Sequence, residues 1–271
     1  LLLLPGAVCR KSLMLPLVLC LVPLPSIFRQ SATQEKYLKL HVLDVGQGLA
    51  VIVETQDRIF LFDTGASLSP DFNIGSAVIA PVLRSLGVSK VDVAVISHSD
   101  NDHAGGLSGV LSNIPVSRLI SNRKQLAGNV QAELCHDAMA WKWDEIEFIF
   151  LQTTIDFEQE NNNSCVLQVR FNGLRVLLPG DIERAAEKQL VRKYARELAS
   201  TILVAPHHGS LSSSSYAFLK QVKPNFVVFS AGYRNSFGHP HDEVRSRYDE
   251  FGSRALSTAD SGMISFDFGS M

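Results

Sequence analysis

The sequence predicts an α/β fold of layered sheets covered by helices, preceded by an apolar segment of membrane type. Three observations carry that expectation. From Tyr37 onward, short β-rich runs alternate with helical stretches and turns, with no internal repeat or low-complexity linker between them. Hydrophobic residues make up 46% of the 271-residue chain and charged residues 19%, which excludes a disordered or collagen-like protein. Between Ser12 and Phe28 lie 17 residues without a charge, rich in Leu, Val and Pro.

The chain opens Leu1-Leu2-Leu3-Leu4 without an initiator Met, as a piece of a longer protein would. Residues 1–35 are expected to be the end of a membrane region, with a transmembrane-like segment over about 12–28. Arg10 and Lys11 precede it and Arg29 follows it, as basic flanks do at a bilayer. Pro16, Pro23 and Pro25 would kink or end a helix there, which membrane helices tolerate better than soluble ones. A signal sequence is the rival reading, although the Leu-rich residues upstream of Arg10 suit it badly.

Residues 36–271 form the second expected domain, built as follows. Leu38–Val45, Gly48–Glu54 and Arg58–Asp63 read as three strands, the last two joined by a turn at Gln56-Asp57. Ile74–Leu86 reads as a helix stopped by Gly87, and Val91–Ser97 as a buried strand by its β-branched content. A polar loop, His98–Gly105, then leads into a helix from Gly106 to about Leu111. Strands are expected at Glu147–Leu151, Ser164–Phe171, Arg175–Leu178, Thr201–Val204, Asn225–Phe229 and Met263–Phe268. Helices are expected at Glu183–Ala195, Ser213–Val222 and Asp242–Phe251.

The chemistry concentrates where strands end. His98-Ser99-Asp100-Asn101-Asp102-His103 comes straight off a buried strand and is followed by Gly105-Gly106, which allow close backbone approach. Neutral imidazoles and ionised carboxylates bind divalent cations, and a tight loop can aim alternate side chains at two neighbouring ions. A merely solvated polar loop accounts for any one of these residues and not for the set. Asp181 follows the run Leu177–Gly180, His207-His208-Gly209-Ser210 follows Ile202–Pro206, and His239-Pro240-His241 follows the strand near Val227. Six of the eight histidines thus fall in strand-end loops, and His41 and His136 read as structural. Asp63-Thr64-Gly65 either supports the site from behind or is a plain turn.

These motifs together resemble the metallo-β-lactamase superfamily, with Asp100 in place of the second His of its His-x-His-x-Asp-His loop. With LDVGQGLA (Leu43–Ala50), NNNSC (Asn161–Cys165), LLPGDIE, PHHGS and SAGYRNSFGHPH (Ser230–His241), the set is similar to the C-terminal domain of the ComEC family of DNA-uptake channel proteins. The resemblance implies a four-layer αββα sandwich, a metallo-β-lactamase-like hydrolase domain over 36–271, and metals at the strand-end edge. By motif, His98 and Asp100 would hold one ion, Asp102, His103 and His207 the other, and Asp181 would bridge them. Asn163, Ser164, His208, Ser210, His241 and Asp63 would support the site or touch substrate, and His239 and Asp102 are the expected catalytic residues. The third histidine usual at the first ion has no good counterpart: His136 lies far upstream, and Asn163-Ser164 offer weaker ligands. Oxygen-rich coordination makes Mn²⁺ as suitable as Zn²⁺ for the two divalent ions.

The resemblance further implies a nuclease that degrades the DNA strand not imported, by attack of a metal-bridging hydroxide. It implies partnership with the membrane channel region of the same protein and with other competence DNA-uptake proteins. It also implies residence at the bacterial inner membrane with the domain on the periplasmic side. A hydrolase of a small phosphodiester and a non-catalytic docking domain are the alternatives. Outside residues 1–35 the net charge is −4, so there is no general basic surface for nucleic acid; bound cations would change that locally. Arg118, Arg123, Lys124 and Arg234 are weak candidates for phosphate contacts. Cys9, Cys20, Cys135 and Cys165 form no CxxC pair, so neither a cysteine zinc site nor a disulfide scaffold is expected. Cys165 reads as a small core residue, and a Cys135–Cys165 bond is open only outside the cytoplasm. Trp141 and Trp143 share one face of a strand, for packing or for stacking on bases.

Overall fold

The computed structural model describes residues 36–269. The expected membrane segment and its boundary at residue 35 lie outside them. No helix among the described residues is long and apolar enough to cross a membrane.

Two seven-stranded sheets face each other. In spatial order the first runs Glu133–Leu134, Val116–Ser121, Val91–Ile96, Ile59–Phe62, Val51–Thr55, Leu38–Val42 and Ile264–Phe268. The second runs Ala140–Trp143, Ile146–Phe150, Leu167–Phe171, Leu174–Leu178, Ile202–Val204, Phe226–Phe229 and Arg254–Ser257. Each sheet has antiparallel hairpins on one side and parallel, helix-linked strands on the other. The parallel strands end at one common edge, where crossover loops gather.

Period-2 alternation decides the layering. Leu40, Val53, Phe60, Phe62, Val93 and Val95 point inward from the first sheet onto Phe148, Leu167, Val169, Val176 and Val204 of the second. Residues of opposite parity bury the outer faces. Ile52, Leu61 and Ala94 pack under Ile79, Leu83 and Val110, while Leu177, Leu203 and Phe229 pack under Leu190, Phe218, Leu219 and Tyr248. The result is the four-layer αββα sandwich expected from the motifs.

Most elements lie within a few residues of their expected positions. The Ile74–Leu86 stretch is helical but splits into a π-turn, Gly75–Ile79, and an α-helix, Ala80–Ser85. The loop His98–Gly105 is not wholly irregular: Asn101–Ala104 forms a helical turn. Val116–Ser121 and Arg254–Ser257 are strands that the sequence pattern did not reveal, because only part of each is buried. Trp141 and Trp143 take the packing role: Trp143 is buried, and Trp141 stacks on Phe148 with ring centroids 5.0 Å apart.

The cysteines require a correction. Cys135 and Cys165 are disulfide-bonded, with Cα atoms 6.0 Å apart, although cysteine spacing pointed to no disulfide framework. Cys135 follows the edge strand of the first sheet and Cys165 precedes Leu167–Phe171 of the second, so the bond staples the sheets together. That proximity is a product of the sandwich and has no local signature.

Arg118 and Arg123 are likewise engaged within the fold. Arg118 pairs with Glu133, and Arg123 forms a two-pronged pair with Glu160 at 2.8 and 2.5 Å. Glu160 also accepts from Asn122 and Ser99, and with Arg123 first among these partners its pKa drops to about 2 against the opposing effect of burial. A lowered carboxylate pKa contributes stability that is complete above about pH 4.5 and lost as pH falls toward 2. Glu160→Gln should therefore lower Tm at pH 6 by about 2–4 °C, the equivalent of roughly 1 kcal/mol in a domain of this size. The gap from wild type should shrink as pH falls from 4.5 and close only below about pH 2; a gap as large at pH 2.5 as at pH 6 would refute the pairing as its source.

Candidate metal centre

Ser97 follows the strand Val91–Ile96, and His98 comes next with no exposed surface. Asp100 has extended backbone (φ −65°, ψ 148°) and precedes the helical turn that carries Asp102 and His103. A Cβ at Gly106 would collide with the Thr64 carbonyl, so glycine is required where this turn meets the loop after Phe62. Asp181 follows Leu174–Leu178, and its backbone N–H donates to Ser164 Oγ at 3.2 Å. In the loop Pro206–Gly209, His207 and His208 both have left-handed backbone, with φ of 49° and 55°. Two consecutive non-glycine residues in that region are uncommon and costly, and such strain clusters at functional sites.

The loops converge on one point. His103 Nε2 lies 3.0 Å from Asp181 Oδ1 and 3.2 Å from His208 Nε2. His208 Nε2 lies 3.2 Å from Asp102 Oδ2 and 3.3 Å from Asp181 Oδ2. One ligand atom from each of Asp102, His103, Asp181 and His208 stands within 4.8 Å of all the others.

Hydrogen bonds behind the cluster orient its imidazoles. His208 Nδ1 lies 2.8 Å from the Ser230 carbonyl, which can only accept, so Nδ1 carries a proton and Nε2 is the atom that faces the cluster, able to give its lone pair to a cation when it loses its own proton. His103 Nδ1 does the same toward Asp63 Oδ2 at 2.8 Å. Asp63 also accepts from Ser97 N–H at 2.6 Å and Ser97 O–H at 2.8 Å. With its proton given to Asp63, Ser97 Oγ accepts from His98 Nδ1 at 3.0 Å. His98 Nε2 is then left buried without a hydrogen-bond partner. Two ring nitrogens 3.2 Å apart and an orphaned third, beside carboxylates, are a donor set that suits divalent cations, which would take the place of the protons.

Protonation follows from the same arrangement. Burial opposes charge on His103 and His208, but Asp181 outweighs it; His103 is raised well above its ordinary value, with Asp63 adding to the effect, and His208 is raised to about 9. Burial likewise opposes ionisation of Asp181 and Asp102, yet the histidines lower Asp181 strongly and bring Asp102 to about 2. Protons thus collect where cations would otherwise balance the carboxylates. His239 behaves differently: burial first, then His208, His207 and His241, lower it to about 4.

The metallo-beta-lactamase superfamily model matches residues 43–232. The chain belongs to the metallo-β-lactamase superfamily. It is 37% identical over 246 residues to "Competence protein ComA" of Neisseria gonorrhoeae, covering 89% of this chain and 34% of that protein. It is 33% identical over 232 residues to "Recombination protein 2" of Haemophilus influenzae, covering 85% of this chain and 29% of that protein. The chain therefore spans about a third of the length of the curated relatives it matches. Among solved structures, the metallo-beta-lactamase fold protein YhfI of Bacillus subtilis aligns with a TM-score of 0.55 at 11% identity, over 85% of this chain and 99% of that one. At that identity the likeness shows the fold alone. The competence homologue agrees with the ComEC-family resemblance carried by the motifs.

Within this metallo-hydrolase fold, the residues singled out by sequence fall into three places. Asp102, His103 and Asp181 are in the cluster, and His98 and Asp100 adjoin it, His98 Nε2 lying 3.6 Å from Asp100 Oδ2. His208, expected behind the ligands, is at the centre. His207, expected as a ligand, lies at the rim, its Nε2 3.8 Å from Asp181 Oδ2 and its Nδ1 3.3 Å from Glu183 Oε1. The ring of His239 is 5.7 Å from that of His207 and 6.3 Å from that of His208, with His241 5.3 Å beyond. Asn163 is committed to the backbone of Phe157, and Ser164 to Asp181 N–H and the Asn161 carbonyl. Ser210 reaches Ser212, whose hydroxyl lies 3.3 Å from His207 Nδ1.

Ser97, Ser230 and Glu183 were not singled out, although the first two stand at strand ends like the residues that were. The geometry ranks the two neighbouring histidines. His208→Ala should weaken Zn²⁺ binding by more than the about 10–100-fold typical of an outer-shell partner, and His207→Ala by less. Calorimetric titration of both variants checks this, and the reverse order would restore His207 as the inner ligand.

Proposed function

We propose that this domain is a metal-dependent phosphodiesterase acting on DNA, the nuclease part of a competence DNA-uptake protein. The observation that carries the reading is the convergence of His103, His208, Asp181 and Asp102, beside the orphaned His98, in a metallo-hydrolase fold whose relative is named a competence protein. Asp181 meets His103 and His208 directly and, by the family motif, would serve both ions, His98 and Asp100 holding one and Asp102, His103 and His208 the other. His207 at the rim is a further donor. Divalent cations at such a site polarise a phosphodiester and lower the pKa of water to near neutrality, as Zn²⁺ or Mn²⁺ does.

The protein's own groups supply the rest. Asp63 holds His103 and, through Ser97, His98 in fixed tautomers, so the ligand atoms need no rearrangement. Asp102 combines a ligand position with a carboxylate able to orient the attacking water. His239 stands beyond the carboxylates and donates to a phosphoryl or leaving oxygen. We further propose the strand not imported as substrate, and the membrane channel region of the same protein and other competence DNA-uptake proteins as partners. The disulfide supports a site on the periplasmic side of the bacterial inner membrane, since such bonds persist in oxidising compartments.

The test combines metal analysis with hydrolysis of end-labelled single- and double-stranded DNA in Mn²⁺ and Zn²⁺. Two cations per chain and shortened DNA are expected. Bound cations with cleavage only of a small phosphodiester would move the reading to a small-molecule hydrolase. Intact DNA and diester alike would leave a docking domain.

A further inference from the structure

The loop from Ser230 to His241 carries two large aromatic side chains that the fold leaves in solvent, Tyr233 at 69% and Phe237 at 61% exposure. The loop is nonetheless firmly built. Asn235 donates to the carbonyls of Gly232, at 2.9 Å, and His239, at 2.5 Å. Its side-chain oxygen accepts from the N–H groups of Phe237 and His239 at 3.1 and 3.0 Å. Exposed aromatic rings on such a loop are held for a purpose other than packing, because burying each would recover a large area of apolar surface.

Their orientation points to the metal cluster. The Phe237 ring lies nearly parallel to His239, with centroids 5.7 Å apart and planes 24° from each other. His239 is in turn nearly parallel to His208, at 6.3 Å and 26°. Three planar rings thus form a staircase from solvent to the residues that would hold the cations. Four residues before Phe237, Tyr233 has the Arg234 guanidinium 5.2 Å from its ring centre, a cation beside an aromatic face. Arg234 is itself exposed, unlike Arg118 and Arg123, which are committed to ion pairs.

We infer that Phe237 and Tyr233, with Arg234, form a stacking platform for unpaired nucleobases, which delivers single-stranded nucleic acid to the centre. The inference deepens the nuclease reading and rests on it. A base stacked on the outer face of Phe237 leaves its phosphodiester free to reach His239, while Arg234 faces the backbone. Aromatic faces beside a cation are the usual chemistry of single-strand binding, and stacking tolerates any base. In a duplex the base faces are already stacked and not available, so the platform selects single strands.

The experiment uses the whole chain and competition against cleavage of an end-labelled single strand. The competitors are an unlabelled oligodeoxynucleotide and an abasic one of equal length, which has the same phosphates and no bases. Wild type should be inhibited by the natural strand at about 10- to 100-fold lower concentration than by the abasic one. The double variant Tyr233→Ala/Phe237→Ala should lose that preference, and Phe237→Trp in the wild-type background should keep it. Equal inhibition by both strands in wild type, or a preference surviving in the double variant, would overturn the platform while leaving the nuclease intact. Binding of phosphatidylglycerol vesicles, with equal inhibition by the two strands, would make the loop a membrane contact instead. Absence of any DNA cleavage would overturn the nuclease reading itself, and the platform with it.

Discussion

Asp181→Ala is expected to empty both cation positions and abolish hydrolysis. Asp181 is almost wholly buried, and its two oxygens approach two ligands of one position, Oδ1 lying 3.0 Å from His103 Nε2 and Oδ2 3.3 Å from His208 Nε2; its share in the second position, at His98 and Asp100, is the bridging role proposed above. No other carboxylate reaches both histidines so closely among the described residues, since Asp102 lies 3.2 Å from His208 but 3.9 Å from His103. Losing an outer partner of a metal ligand costs about 10–100-fold in affinity, and loss of a shared inner ligand should exceed that at both positions. Alanine also removes the negative charge that offsets two cations in a buried site, where the unbalanced charge is costly. Metal analysis after gel filtration reads the result directly. Two tightly held ions in the variant would exclude Asp181 as the bridge.

His239→Ala should separate binding from chemistry. His239 is half-buried, its nearest ring neighbours are His241 at 5.3 Å and His207 and Phe237 at 5.7 Å, and its buried Nδ1 has no hydrogen-bond partner. It lies outside the group of atoms that could share a cation, so both metals should remain after its removal. Hydrolysis of DNA should fall by at least about 10²-fold, the lower end of what a positioned acid–base group contributes. A phosphodiester with a nitrophenolate leaving group needs no proton on departure. If His239 protonates the leaving oxygen, the loss on that substrate should be smaller. Equal losses on both substrates, with metals retained, would assign His239 to the phosphoryl oxygens; loss of a metal would make it a ligand.

Much of this protein was legible before folding because its signals are local. Short apolar, β-branched runs marked the strands around Val93, Val176 and Val204, and ligand-type residues beyond them marked the working edge. Asp63, His98, His103 and Asp181 could be named on that basis, since a buried strand must deliver its next residue to the sheet edge. Other features depended on chain segments distant in sequence. The Cys135–Cys165 bond joins two sheets, and Val116–Ser121 is a strand chiefly because Val91–Ile96 offers it a ladder. The adjacent pair His207-His208 marks the boundary most sharply. The sequence alone determined that histidines stand here, after Ile202–Val204, and either could have been the inner ligand. The tertiary structure puts one of them, His208, among Asp102, His103 and Asp181. Two left-handed residues, against the local preference of both, turn the loop so that His208 Nδ1 meets the Ser230 carbonyl and His207 faces Glu183. Backbone conformation at single positions is set by the partners the folded chain brings within hydrogen-bond reach, and those partners lie in other loops, after Phe226–Phe229 and before the helix Arg184–Tyr194.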